Sequence, residues 1–162
     1  MSPVEITVAL VAAERLAELA IARRNTRLLL EAGAVEHGAR HYPFLVALHA
    51  AWLAALLLWV PDGAPVRWPF MAPFILLQFA RAWVIWSLGP YWTTRIVVPP
   101  GASTVRRGPY RWLRHPNYAI VVAEIALLPL AFGAWDVALI FSLANGLLLS
   151  YRIGSEEAAR RR

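Results

Sequence analysis

The chain has 162 residues, 59% of them hydrophobic, no cysteine and a formal net charge of +6. A soluble domain carries about 45–50% apolar residues, so this excess, with a mean hydropathy of +0.51, calls for a lipid-facing surface on a single compact unit. Disulfides and thiolate metal sites are excluded, and the positive charge does not call for nucleic acid, because the arginines sit in loops beside apolar segments, where the cytoplasmic-side bias of membrane proteins places them.

The pattern predicts an all-α integral membrane protein of about five transmembrane helices, closing in a helical hairpin with a cytosolic cofactor pocket. The first apolar stretch, roughly 3–22, is interrupted by Glu5, Glu14, Arg15 and Glu18. It lacks the basic start of a cleavable signal and is expected to be retained. The second runs 43–60, with His49 its one strongly polar residue, and the third roughly 69–92, with Gln78 and Arg81. Both are long enough for a span of about 20 residues. The fourth, 116–131, is short and holds Pro129, so a tilted, kinked or partly inserted helix is expected. Only Phe132 and Gly133 separate it from the fifth, 134–151. On this reading 1–94 is an N-terminal, acceptor-side region of three spans and 95–162 a catalytic region.

Loop charges set an expected topology. Arg23, Arg24, Arg27 and Arg40 lie in one connection, Arg95, Arg106, Arg107, Arg111 and Arg114 in another, and Arg152 and Arg160 to Arg162 in the tail. The remaining connections hold only Arg67. The bias puts the N-terminus outside and the basic loops and tail in the cytoplasm, at the inner membrane if the source is bacterial. The chain has no lysine, a usage in keeping with a GC-rich bacterial genome.

The chemistry concentrates in Gly108-Pro109-Tyr110-Arg111-Trp112-Leu113-Arg114-His115-Pro116-Asn117-Tyr118 and in Arg152, Glu156 and Glu157. Proline favours the first helical position, so a helix is expected to begin at Pro116 with His115 at or beside its cap. Free N–H groups there favour an anion such as the methionine carboxylate of S-adenosylmethionine. Tyr110, Trp112 and Tyr118 offer faces for an adenine or a sulfonium. The competing reading, an interfacial aromatic belt with snorkelling arginines, is preferred for Trp112 and Arg111, and the site for His115 and Tyr118. Arg152 and Glu156 share one helix face. As an ion pair they run in the weaker orientation, so Glu156 is assigned to cofactor hydroxyl or amine groups and Arg152 to the acceptor oxygen.

The run from Gly108 to Tyr118, the apolar hairpin and Arg152 to Glu157 together resemble the isoprenylcysteine carboxyl methyltransferase family of integral membrane enzymes, over about residues 95–160. The resemblance implies an S-adenosylmethionine-dependent O-methyltransferase. Its Arg-His-Pro-x-Tyr motif falls on Arg114, His115, Pro116 and Tyr118, with Asn117 at the variable position, and its preceding tyrosine on Tyr110. It implies a cofactor cradle near Ala102, Ser103, Thr104 and Val105, a late glutamate at Glu156 beside Glu157, and a substrate-side arginine at Arg152. Ala119 replaces the glycine that often follows the motif tyrosine. Glu14-Arg15, Glu18, Arg24-Asn25, the stretch 31–38 and His41-Tyr42-Pro43 resemble a bacterial branch that methylates alkylpyrones or alkylresorcinols. The acceptor implied is a lipophilic small molecule, or a prenylated one, drawn laterally from membrane lipid.

Ionisable groups inside a bilayer default to function. Glu14, Glu18 and Arg81, with Arg15 a further partner, are read either as substrate-binding or as a buried pairing that fixes helix packing. Glu124 is read as a general base, a polar wall of the acceptor tunnel, or a group bonded between helices. His49 reads as a packed histidine and His41-Tyr42 as a cap for the second span, and no spacing reads as a metal site. The competing functions are a phospholipid amine methyltransferase, a sterol-reductase-like enzyme and a non-enzymatic membrane scaffold.

Overall fold

The computed structural model describes residues 1–37, 42–101 and 106–160, with side chains as far as Glu156. Among them are five helices: α1 Pro3–Glu31, α2 Tyr42–Trp59, α3 Trp68–Leu88, α4 Pro116–Ala131 and α5 Trp135–Arg160. Three helical stretches, Tyr42–Trp59, Trp68–Tyr91 and Trp135–Glu156, are long and apolar enough to cross a membrane. With 16 residues, α4 reaches about 24 Å, short of a hydrocarbon core of about 30 Å.

Local chemistry explains the boundaries. Ser2 and Glu5 form a reciprocal capping box at the start of α1, the Ser2 N–H donating to Glu5 at 2.7 Å. The helix then runs past the expected end near residue 22 to Glu31. Ala22, Asn25 and Thr26 are buried along the extension, and Arg27 pairs with Glu31 one turn on at 3.8 Å. Pro116 opens α4 at its first turn with His115 as the cap residue, as expected. Gly133 turns the chain between α4 and α5 with φ +77°, a conformation glycine adopts without penalty. An added Cβ there would stand 3.0 Å from the Arg67 guanidinium.

The all-helical expectation holds, with one short two-stranded ribbon beside the helices. Val35–His37 (β1) pairs antiparallel with Ile96–Val98 (β2), Glu36 opposite Val97. The β-branched Ile-Val-Val run suits a strand, and Glu36 meets Arg95 at 3.1 Å across the ladder. This ribbon ties the α1–α2 connection to the α3–α4 connection, a link between distant loops that periodicity does not report.

The helices pack as neighbours in the order α1, α2, α5, α4, α3. At one end of the bundle, Val4, Val8 and Val11 of α1 meet Trp52 and Leu56 of α2, Met71 and Phe74 of α3, Ile125 and Leu128 of α4 and Val137 of α5. At the other, Ala22, Val84, Trp92 and Ile120 form a second cluster with Tyr110 against it. Successive helices therefore alternate in direction, and the C-terminal ends of α1, α3 and α5 gather with the start of α4 at the second end.

The approach to α4 is a short 3-10 turn, Gly108–Arg111, packed on the end of α3. Gly108 has φ +55°, and a Cβ there would collide with the Ser87 side chain. Gly108→Ala is therefore expected to cost about 1–3 kcal/mol, seen as a lowered thermal midpoint in detergent. Gly146→Ala, in open space on α5, is expected to leave the midpoint unchanged or raise it. Equal midpoints for both variants would mean that the turn does not press on α3.

Candidate active site

Two polar clusters share α4. The first is at its N-terminus. The Tyr118 hydroxyl donates to Glu156 Oε2 at 2.7 Å and accepts from Arg152 Nε at 2.9 Å. Arg152 Nη2 donates to the Thr94 carbonyl at 2.9 Å, and its guanidinium lies over the Tyr118 ring at 5.5 Å. The His115 imidazole stacks on Tyr118 with centroids 5.0 Å apart, and its Nδ1 is 3.8 Å from Glu156 Oε2. Residues far apart in sequence thus meet on one phenol.

The ordering is local in origin. Pro116 sets the start of α4, and the Tyr118 and Ala119 N–H groups donate back to the His115 carbonyl, which fixes where both rings emerge. Arg152 and Glu156 sit one turn apart on α5 and flank the phenol. The pairing that looked weak as a helix staple is a clamp on a residue of the neighbouring helix.

Tyr110 packs against the cluster that holds Ile120. Burial pushes its phenol above the ordinary tyrosine range, and nearby Tyr118 and Glu156 act in the same direction, so it stays a neutral donor at any physiological pH. Asn117 Oδ1 is buried with no hydrogen-bond partner among the described residues. A buried acceptor without a donor is costly, and this one lies on the motif itself.

Of the other expected site residues, Pro116 is buried at the start of α4 and Arg114 is exposed beside it. Ala102, Ser103, Thr104 and Val105, the side chain of Glu157, and His41 lie outside the described residues. Arg111 lies over Trp112 at 5.8 Å, and Trp112 is 70% exposed. His49 Nδ1 is 2.8 Å from the Leu45 carbonyl of its own helix. The Thr94 carbonyl was not foreseen, because a backbone acceptor leaves no trace in side-chain identity.

The second cluster joins α1, α3 and α4. Arg81 grips Glu18 through two nitrogens, Nη2 reaching Oε2 at 2.6 Å, and donates from Nη1 to Glu124 Oε2 at 3.1 Å. Arg15 Nη1 meets Glu18 Oε2 at 3.0 Å, and its Nη2 meets Glu124 Oε1 at 3.1 Å. Glu14 stands at the rim, 3.7 Å from Arg15. Glu124, Glu18 and Arg81 are only 4%, 6% and 6% exposed. Two guanidinium groups and two carboxylates form a closed square, so each buried charge has two opposite neighbours. The substrate-binding candidates Glu14, Glu18 and Arg81 are thus brought together with Glu124, and Arg15, named only as a partner, is half of the square's positive charge.

A profile of the isoprenylcysteine carboxyl methyltransferase family matches residues 70–161. The chain is 39% identical over 158 residues to a protein named "Uncharacterized protein YpbQ" from Bacillus subtilis, covering 95% of this chain and 94% of that one. It is 30% identical over 161 residues to an "Uncharacterized protein" from Haemophilus influenzae, covering 96% and 94% respectively. No solved structure matches the chain.

Removing one member of the square should expose what it does. Arg81→Ala leaves Glu18 and Glu124 to share the single charge of Arg15 and is expected to cost about 3–5 kcal/mol, measured by unfolding in mixed micelles. In a double-mutant cycle, Arg81→Ala and Glu18→Ala together should cost less than the sum of the single changes, with a coupling of about 0.5–3 kcal/mol. Strictly additive losses would contradict the geometry.

Proposed function

The chain belongs to the isoprenylcysteine carboxyl methyltransferase family, and from this membrane-methyltransferase premise we propose that it transfers a methyl group from S-adenosylmethionine to an oxygen of a lipophilic acceptor. The observation that carries the reading is the Tyr118 phenol held between Arg152 and Glu156, with His115 stacked on it. No helix-packing requirement calls for a histidine, a tyrosine, an arginine and a glutamate to converge at the end of an apolar hairpin, where polar groups are costly.

The residues present suit the cofactor. The start of α4 offers the Asn117 N–H to a carboxylate, since Pro116 has none and the Tyr118 and Ala119 N–H groups donate to the His115 carbonyl. Glu156 is an acceptor for hydroxyl or ammonium groups, and the orphaned Asn117 Oδ1 is a second one. The stacked rings of His115 and Tyr118, with neutral Tyr110 nearby, give aromatic faces and a donor. When bound, S-adenosylmethionine supplies the methyl group on a sulfonium, whose positive charge is lost in the transfer together with the acceptor's negative charge. Arg114, Pro116 and, beyond the described residues, the segment 102–105 and Glu157 complete the proposed cofactor surface.

Arg152 orients the acceptor in this scheme. Its Nε and Nη2 are taken by Tyr118 and the Thr94 carbonyl, which immobilises the guanidinium. Nη1 makes no hydrogen bond among the described residues and is the nitrogen for a carboxylate or enolate oxygen. A preset guanidinium holds such an oxygen at little further entropic cost, and positioning of this kind is worth up to about 7–11 kcal/mol of a barrier. A carboxylate acceptor needs no general base. A phenol or enol has to ionise, and a cation at Arg152 favours that. Glu124 serves as a polar wall rather than a base, because both its oxygens are engaged by arginines. Of the square's neighbours Glu14 is the one at the rim and is proposed to meet the acceptor, while Glu18 and Arg81 are engaged with each other.

The proposed acceptor is a small lipid-like molecule entering laterally between helices, an alkylpyrone or alkylresorcinol in preference to a prenylated cysteine, as the resemblance of the first half of the chain to a bacterial branch implies. The arginine-rich end of the bundle, which holds this site, is placed in the cytoplasm and the N-terminus outside, by the positive-inside bias.

Detergent-solubilised protein is expected to bind S-adenosylmethionine, and His115→Ala and Glu156→Ala each to weaken it at least tenfold, about 1.4 kcal/mol, by calorimetry. Unchanged affinity in both would refute the proposal. Labelled cofactor incubated with a membrane lipid extract should yield a methylated lipid whose formation Arg152→Ala abolishes while cofactor affinity changes less. If Arg152→Ala instead removes cofactor binding alone, the arginine belongs to the cofactor and not to the acceptor.

A further inference from the structure

The last turn of α3 presents Trp83, Trp86 and Ser87 on one face, at the spacing that brings side chains together on a helix. Against that face packs the 3-10 turn that precedes the motif. The two elements enclose an open groove lined by Trp83, Trp86, Ser87, Arg107 and Gly108. None of these residues takes part in the site on Tyr118. Trp86 is 84% exposed, and Trp83 stacks at a tilt on Trp112, centroids 6.1 Å apart.

Arg107 is the feature that turns this groove into more than an apolar notch. Its Nε donates to the Ser87 carbonyl at 2.6 Å, which pins the guanidinium plane to the groove wall. A guanidinium already held by one edge loses little freedom when its other nitrogens take a planar pair of oxygens. Arg111 on the same turn and Arg106 just before it are exposed. No aspartate or glutamate occurs anywhere between Asp62 and Glu124, so this stretch offers the arginines no anion of its own. Indole rings settle at the headgroup level of a bilayer, and an anionic leaflet attracts arginine at that depth.

We infer that this groove binds the phosphodiester headgroup of an anionic phospholipid, with the Arg107 guanidinium on the phosphate and the indoles of Trp83 and Trp86 against the glycerol and upper acyl chain. The occupant follows from charge complementarity and depth together: a soluble phosphate has no use for the two indoles, and a zwitterionic lipid carries an ammonium that the basic turn repels. The turn has a second side, where Tyr110 packs against the cluster of Ala22, Val84, Trp92 and Ile120. A lipid seated on Arg107 therefore braces the approach to His115 from outside. This inference does not depend on the methyltransferase reading, since lipid retention is measured without turnover.

The test is selective lipid retention. Protein exchanged into mixed micelles of phosphatidylglycerol and phosphatidylcholine in equal amounts is purified, and its retained lipids are counted by mass spectrometry. The intact chain should retain phosphatidylglycerol in clear excess. Arg107→Gln should lower the retained ratio on the order of fivefold. Trp86→Ala, at an exposed position that folding does not need, should lower it as well. Arg27→Gln, an exposed arginine of the same bundle end already paired with Glu31, should leave it unchanged. A retained ratio near one in the intact chain, or a ratio unmoved by Trp86→Ala and Arg107→Gln, would overturn the assignment. So would an equal fall in Arg27→Gln, which would show diffuse charge in place of a site.

Discussion

A charge taken out of water has to find its counter-charge inside the protein, and four such charges decide how this bundle is assembled. Arg15 and Arg81 each touch both Glu18 and Glu124, so α1, α3 and α4 cannot rotate or slide independently. An apolar helix surface tolerates many rotations about its axis, because one leucine contact resembles another. The square does not, since a small rotation leaves a buried carboxylate facing hydrocarbon. The orientation of α4 satisfies this electrostatic requirement and the apolar packing around it together.

That orientation is what the site depends on. From Tyr118 to Glu124, α4 advances about 9 Å and turns to a face about 120° away. The face bearing Glu124 is held by α1 and α3, and the face bearing Tyr118 is offered to α5, where Arg152 and Glu156 clamp it. The shortest helix of the five is also the one held on both sides, which suits an element that carries the motif. The shortness of α4 suits this double hold: its N-terminus carries the Tyr118 cluster, and its C-terminal half places Ile125, Leu128 and Ala131 in the main core.

Loops complete the arrangement by means that side chains do not advertise. The Asn25 amide holds the carbonyls of Gly89 and Trp92 at 3.1 and 2.9 Å, fixing the chain after α3. The β1–β2 ribbon holds the next stretch, and the Thr94 carbonyl between them holds Arg152. The extension of α1 past the expected boundary supplies Asn25, so the longest helix reaches from the main core to the rim of the candidate site.

Much of this could be read along the chain. The apolar segments, the helix start at Pro116, the tight turn at Gly133 and the face shared by Arg152 and Glu156 are properties of neighbouring residues, set by periodicity, proline geometry and glycine's freedom at positive φ. The family is likewise legible, in the run from Gly108 to Tyr118. The short sheet, the Thr94 carbonyl and the closed square were not, because each joins segments distant in sequence through geometry that no local pattern encodes. Glu14, Glu18 and Arg81 showed in the sequence as a group to be paired, with Arg15 a further partner, and Glu124 as a base, a tunnel wall or an interhelical group, but not as one closed square. Which charge meets which is a matter of distance in three dimensions, where the Coulomb energy of a buried pair depends on contact, and that was decided by the packing of α1, α3 and α4 alone.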